Sequence, residues 1–170
     1  MSEFTVLNIR RALLKDLDTI TEIYNEAILH TVATLDTEPK TAKNQKLWFT
    51  EHDDSHPLLV AEQNGQIMGW ASLTKWSDRC AYSGTAEVSL YVKKEHQGEG
   101  IGRKLLKALL EEGEKANLHT VIARVTRNNE ASVHLFESEG FEFIGVMREV
   151  GQKFGKLLDV FIMQWIYVTK

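Results

Sequence analysis

Apolar residues recur along this chain first with a helical period and then with the alternating period of strands. Leu17, Ile20, Tyr24, Ala27 and Ile28 fall three or four residues apart, behind Asp16 as a cap, and predict a helix; Val6 and Ile9 before them suggest a first strand. A second short helix is predicted from Thr41 through Leu47, Trp48 and Phe49. After Pro57, two β-rich runs at 58–62 and 66–73 flank Asn64-Gly65, a pair that tolerates the positive φ of a tight hairpin turn. In the segment 85–92, Thr85, Glu87, Ser89 and Tyr91 alternate with Ala86, Val88, Leu90 and Val92, which predicts a strand with one polar face. Past a glycine-rich turn, Ile101, Leu105, Ala108, Leu109 and Ala116 line one side of a helix, followed by a strand at 120–125. A last helix over 129–139 stops at Gly140, a residue suited to a C-cap, and strands near 141–147 and 157–167 close the chain. This order predicts an α+β fold on a mixed sheet. No repeat, linker or compositional break appears, so residues 1–170 read as one domain.

Composition narrows the function classes. The chain has 170 residues, 43% apolar and 26% charged, enough for a self-sufficient core. The net charge of −4 and the scatter of Lys and Arg provide no block to neutralise a run of phosphates, so nucleic acid is not an expected partner. The longest apolar stretch, at 160–163 and, after Gln164, 165–168, is about half of what a bilayer needs, so no membrane is expected. A lone cysteine, Cys80, cannot form an internal disulfide, and Met1-Ser2-Glu3-Phe4 lacks the basic, apolar start of a secretory leader. The expected location is the cytoplasm.

Candidate chemistry begins at His96-Gln97-Gly98-Glu99-Gly100-Ile101-Gly102-Arg103, which joins a strand to a helix. Glycines here let backbone N–H groups approach an anion at the positive end of the helix dipole. A Walker loop would need Gly-Lys followed by Ser or Thr, whereas Arg103, Lys104 and Leu105 follow Gly102. A dinucleotide fingerprint would need glycine at 103 and an acid closing the next strand, where Val121-Ile122-Ala123-Arg124 stands. His52 and His56 have the spacing of helical metal ligands but lie in a polar loop without a third ligand, and no metal is expected. No sequence feature marks a partner that would activate Cys80 as a nucleophile, and inert packing is the expected role.

Gln97, Gly100 and Gly102 in the pattern Gln-x-x-Gly-x-Gly resemble the pyrophosphate-binding motif of the GNAT superfamily of N-acetyltransferases. The segment Asn129-Glu130-Ala131-Ser132-Val133-His134-Leu135-Phe136-Glu137-Ser138-Glu139-Gly140-Phe141 is similar to the helix and strand that follow it there. Ile23-Tyr24-Asn25-Glu26-Ala27, Asp36-Thr37-Glu38-Pro39, the 85–92 strand and Gly151-Gln152-Lys153-Phe154-Gly155 with Asp159 resemble the phosphinothricin N-acetyltransferases and their methionine sulfoximine and sulfone relatives.

That resemblance implies acetyl-CoA as cosubstrate, a central mixed sheet splayed into a V with helices on both faces, a homodimer, and direct acetylation of the α-amino group of a small amino acid or analogue. It implies cofactor contacts from Leu90, Tyr91 and Val92, from Gln97, Gly98, Glu99, Gly100, Ile101, Gly102 and Arg103, and from Asn129. The 76–82 loop would line the acceptor site with Trp76, Ser77, Asp78, Arg79 and Tyr82, joined by Glu87, Val88, Ser89 and Lys153. Arg79 offers a planar fork to an acceptor carboxylate or phosphinate, although an unpaired surface arginine is equally common in loops. An α-ammonium must lose its proton before it attacks a thioester, and Glu87, on the polar face of its strand, is the candidate base; the alternative is a solvated strand residue. Phe136 stands where the family carries Tyr or His, so the proton donor to the departing thiolate is open among Tyr82, Tyr91, His134 and water. The alternatives to an amino-acid acetyltransferase are an enzyme for another small amine or a peptide N-terminus, and a noncatalytic acetyl-CoA sensor.

Overall fold

The computed structural model describes residues 6–168, so the 1–4 segment read against a secretory leader lies outside the described residues. Strands β1 (Asn8–Arg11), β2 (Leu58–Gln63), β3 (Gln66–Lys75), β4 (Thr85–Val92), β5 (Thr120–Thr126), β6 (Glu142–Lys153) and β7 (Lys156–Ile166) form one sheet in the order β1-β2-β3-β4-β5-β7-β6. All neighbours run antiparallel except β4 and β5, which are parallel. The sheet is mixed and the class is α+β.

Alternation along the strands sorts side chains onto two faces. On one, Ile20 and Ile23 of α1 (Leu17–His30) pack on Leu58, Val60, Ile67 and Trp70, with Trp48 and Phe49 of α2 (Ala42–Thr50) against them. On the other, Leu105, Leu106 and Leu109 of α3 (Ile101–Lys115) pack on Ala71, Ala86, Val121 and Ala123, together with Phe136 of α4 (Glu130–Ser138) and Phe141. Helices therefore cover both faces, and the polar alternate positions of β4 lie on the α1 side.

Local signals account for most boundaries. Thr41 caps α2 by accepting from the Asn44 N–H at 3.2 Å. Asn64 and Gly65 take φ of 53° and 75°, as the β2–β3 hairpin turn requires. Two expectations are corrected. Asp16 occupies the N-cap position of α1 without a capping bond, because its carboxylate is taken by Arg10 and by the Leu13 N–H. The strand expected to end near 147 runs on to Lys153; between Met147 and Gly151 its pairing with β7 shifts, and Glu149 there takes φ 51° with its N–H donating to Asp159 at 2.8 Å.

Candidate active site

The β4–β5 ladder runs only from Thr85 opposite Thr120 to Glu87 opposite Ile122, while β4 stays paired with β3 to Val92 and β5 with β7 to Thr126. Beyond Glu87 and Ile122 the two parallel strands separate, so the β5-facing edge of Leu90, Tyr91 and Val92 has no strand partner. This is the splay, and its open backbone edge can hydrogen-bond an extended amide-bearing chain.

The glycine turn follows the free end of β4 and leads into α3. Gly98 and Gly100 both take φ 81°, and a Cβ at either would meet nothing within 4 Å, so the backbone there is bare toward solvent. Gly100 is the N-cap of α3, and the first bond inside that helix is Lys104 N–H to the Gly100 carbonyl at 3.2 Å. The N–H groups of Ile101, Gly102 and Arg103 thus lack intrahelical acceptors and can serve a phosphate. Gly102 faces α4 and β4, where a Cβ would lie 3.4 Å from both Leu135 and Leu90, an ordinary contact distance. Gln97 braces the turn by donating to the Val92 carbonyl at 3.2 Å. Glu99 lies 3.2 Å from the His96 ring, and Arg103 is committed to α4 through Glu139 at 3.0 Å and Ser138 at 2.9 Å. Asn129 caps α4 by accepting from Ser132 N–H at 3.3 Å.

On the opposite face of the sheet, Glu87 is bound by an arginine that the motifs do not single out. Arg124 Nε donates to Glu87 Oε1 at 2.6 Å and its Nη2 to Oε2 at 2.8 Å, a bidentate fork. Because Ile122 is opposite Glu87, Arg124 lies two residues further along the same face of β5, within reach back to the carboxylate. Its guanidinium carbon stands 5.7 Å from the centre of the Trp76 ring. Arg124, Trp76 and Tyr82 line a cavity of about 430 Å³ with Thr85, Thr120 and Ile122, and Met147, Ile162 and Gln164 complete its wall from β6 and β7. The visible signal for Arg124 is a lone cation in a strand at a position facing Glu87, which only the parallel register reveals.

The remaining expected residues are not all gathered here. Ser77 accepts from the Arg79 N–H at 3.3 Å, Asp78 pairs with Lys75 at 3.2 Å, and Arg79 is exposed and does not line the cavity. Val88 points into the core on the α3 side. Ser89 borders a second cavity, of about 180 Å³, with Tyr24, Asp36 and Lys40. Lys153 is buried, donates to the Thr34 carbonyl at 2.8 Å, and has its pKa pulled down by desolvation. Phe136 is buried edge-on to Phe141 and serves packing. Among the proton-donor candidates, Tyr91 packs against Tyr24 and Trp70, and burial pushes its pKa up to about 12, so it keeps its proton near neutrality. Tyr82 opens onto the cavity and His134 is exposed on α4. His52 is held by the Trp48 carbonyl at 2.9 Å, and among the described residues no cluster of three or more His, Cys, Asp or Glu is placed to hold a metal ion.

Comparison with known proteins agrees with this architecture. Residues 17–141 match the acetyltransferase (GNAT) family. The chain is 40% identical to the L-amino acid N-acyltransferase MnaT of Escherichia coli, over 93% of this chain and 92% of that protein. It is 39% identical to an L-methionine sulfoximine/L-methionine sulfone acetyltransferase of Salmonella typhimurium, over 93% of each. An acetyltransferase of Salmonella typhimurium, solved with its cofactor acetyl-CoA, superposes with a TM-score of 0.94 at 37% identity, covering 98% of this chain and 96% of that one. A ribosomal-protein-alanine N-acetyltransferase of Brucella melitensis superposes with a TM-score of 0.92 at 38% identity, covering 95% of this chain and 100% of that one.

Proposed function

The chain belongs to the GNAT acetyltransferase family and is an acetyl-CoA-dependent N-acetyltransferase, and we propose that its acceptor is the α-amino group of a small amino acid or analogue, of the methionine sulfoximine, methionine sulfone or phosphinothricin kind. The observation that carries this reading is the position of Glu87: on the polar face of β4, where β4 and β5 part, beside a cavity of about 430 Å³. That volume suits an amino acid.

In this reading the N–H groups at the start of α3, with Gly98 and Gly100, hold the cofactor's pyrophosphate, and the edge of Leu90, Tyr91 and Val92 that β5 leaves without a strand partner aligns its pantetheine, with Asn129 nearby. The acetyl thioester then reaches the level of Glu87, and the amine enters from the α1 side. Glu87 takes a proton from the α-ammonium, the free amine attacks the thioester carbonyl, and the acetyl group passes to it directly as the thiolate leaves. The donor of a proton to that thiolate is not assigned to Tyr91, whose hydroxyl is turned to the Ala33 carbonyl at 3.4 Å and whose raised pKa makes it a weaker acid.

We read residues 1–170 as one acetyltransferase domain, supported by a single sheet that takes strands from Asn8 to Ile166. A homodimer is part of the same proposal: Phe143, Ile144, Val146 and Val150 are exposed along β6, the edge strand of the sheet. We place the chain in the cytoplasm on the sequence reading alone; no helix among the described residues is long and apolar enough to cross a membrane.

The likeness to a ribosomal-protein-alanine enzyme favours a second reading, a peptide N-terminus as acceptor. Thiol release from acetyl-CoA, measured against methionine sulfoximine, methionine sulfone, phosphinothricin, ordinary amino acids, polyamines and short Ala-peptides, separates the two. Turnover of the small acids with little on peptides is expected; the reverse order overturns the first reading.

A further inference from the structure

Arg124 joins the candidate base to the acceptor cavity. Two of its nitrogens hold the two oxygens of Glu87 at 2.6 and 2.8 Å, its plane is steadied near the face of Trp76, and its side chain, half exposed, forms part of the cavity wall. What Glu87 presents to this fork is a carboxylate, and the acceptor proposed above carries the same group next to its amine. Resting on that reading, we propose that Arg124 is the residue that binds the acceptor's carboxylate or phosphinate, and that Glu87 occupies the fork only until the acceptor's anion takes it.

The exchange replaces one charge-assisted bidentate pair with another, so Arg124 never faces the cavity without an anion. It frees Glu87 at the point where the acceptor's ammonium arrives, one carbon away from the bound carboxylate, and Glu87 can then accept the ammonium proton. An amine without an anionic neighbour cannot make the exchange, and Glu87 stays engaged. The ion pair therefore selects for amino acids over plain amines, amides and extended peptides. The rest of the cavity agrees with an amino-acid side chain that is apolar along its stem and polar at its end: Ile122, Met147 and Ile162 supply the apolar wall, Thr120 and Gln164 the polar part. Arg79, exposed and off the cavity wall, is not needed for this role.

The test compares kcat/KM for methionine sulfone and for its primary amide, in wild type, Arg124→Gln and Arg124→Lys, at saturating acetyl-CoA. Arg124→Gln should lose about 10–100-fold on the acid, chiefly through KM, and gain on the amide, because Glu87 is no longer engaged by the fork, so the acid-to-amide ratio collapses. Arg124→Lys, which keeps the charge and loses the fork, should fall between. Acetyl-CoA affinity by calorimetry, unchanged in both variants, shows that the fold and cofactor site are intact. An acid-to-amide ratio preserved in Arg124→Gln, with both substrates falling together or neither falling, overturns the assignment and leaves the acetyltransferase reading standing. Failure of the wild type to act on any amino acid of the panel instead overturns that reading, and this inference with it.

Discussion

Lys153 Nζ donates to the Thr34 carbonyl at 2.8 Å and so joins the end of β6 to the segment between α1 and α2. The family resemblance places Lys153 among acceptor contacts; in the fold its ammonium ties β6 to that segment. Neighbouring contacts tie the same segment down, since Gly151 lies against Leu35 and Thr126 Oγ1 donates to the Val32 carbonyl at 2.6 Å. Lys153→Met keeps the stem and removes the ammonium, leaving the Thr34 carbonyl unpaired. We expect a loss of about 1–3 kcal/mol in urea denaturation, with acetyl-CoA affinity unchanged. A raised acceptor KM at unchanged stability would instead return Lys153 to the acceptor site.

Asp16 gives a pH-dependent counterpart on the other side of the fold. The carboxylate is buried, takes Arg10 at 2.7 and 3.0 Å and accepts from the Leu13 N–H at 2.7 Å. The Arg10 guanidinium first, and the Leu13 N–H after it, hold its pKa below the usual carboxylate value. A depressed folded-state pKa means that the stabilisation is complete above the unfolded value of about 3.9 and is lost as pH falls through the folded one. Asp16→Asn should cost about 2–3 kcal/mol at pH 7, with a gap to wild type that narrows as denaturation is repeated toward pH 2. A gap independent of pH would assign the loss to packing.

Gly100→Ala separates backbone strain from ligand space. The φ of 81° costs a residue with a Cβ about 1–2 kcal/mol, and that cost appears in stability whatever binds there. Because the added methyl meets no protein atom within 4 Å, any loss of acetyl-CoA affinity beyond that strain comes from the ligand. We expect Kd to rise about tenfold or more by calorimetry, as when a bulkier backbone blocks a phosphate at a helix N-terminus. An unchanged Kd with lowered Tm would move the pyrophosphate elsewhere.

The elements of this fold are legible because their signals are local. The Asn64-Gly65 turn, the Thr41 cap, the α3 stripe and the alternation of β4 each depend on residues a few positions apart. The glycine turn is legible for the same reason, since Gly98 and Gly100 stand immediately before the start of α3. The acceptor side is less so. Arg124 meets Glu87 across 37 residues, and only the register of Glu87 with Ile122 brings them to one face. Asp16 reads as a helix cap because it precedes a helical stripe, but Arg10 and the Leu13 N–H compete for the same oxygens and win. The extension of β6 to Lys153 is hidden by the register shift after Met147, which breaks the alternation on which a strand prediction rests.

In the proposed reaction Glu87 is the base, and its pairing with Arg124 sharpens what its substitution should do. A zwitterionic acceptor reaches the site with a protonated amine, so the reaction needs a proton acceptor beside it, and Glu87 is the carboxylate on the polar face of β4 at the opening of the splay. A purely structural carboxylate there would also pair with Arg124, and its loss would leave a cation on the cavity wall. The two roles differ in kinetics. Glu87→Gln in the structural case damages acceptor binding and raises KM. In the catalytic case it removes the base while the freed Arg124 fork still receives the acceptor's carboxylate, so KM does not rise and kcat falls by about 10²–10⁴, the range of a lost positioned base. Single-turnover acetyl transfer to methionine sulfone, with acetyl-CoA affinity measured alongside, gives both quantities. A near-wild-type kcat removes Glu87 as base, and a raised KM with intact kcat makes it a wall residue whose partner, Arg124, needs an anion for stability alone.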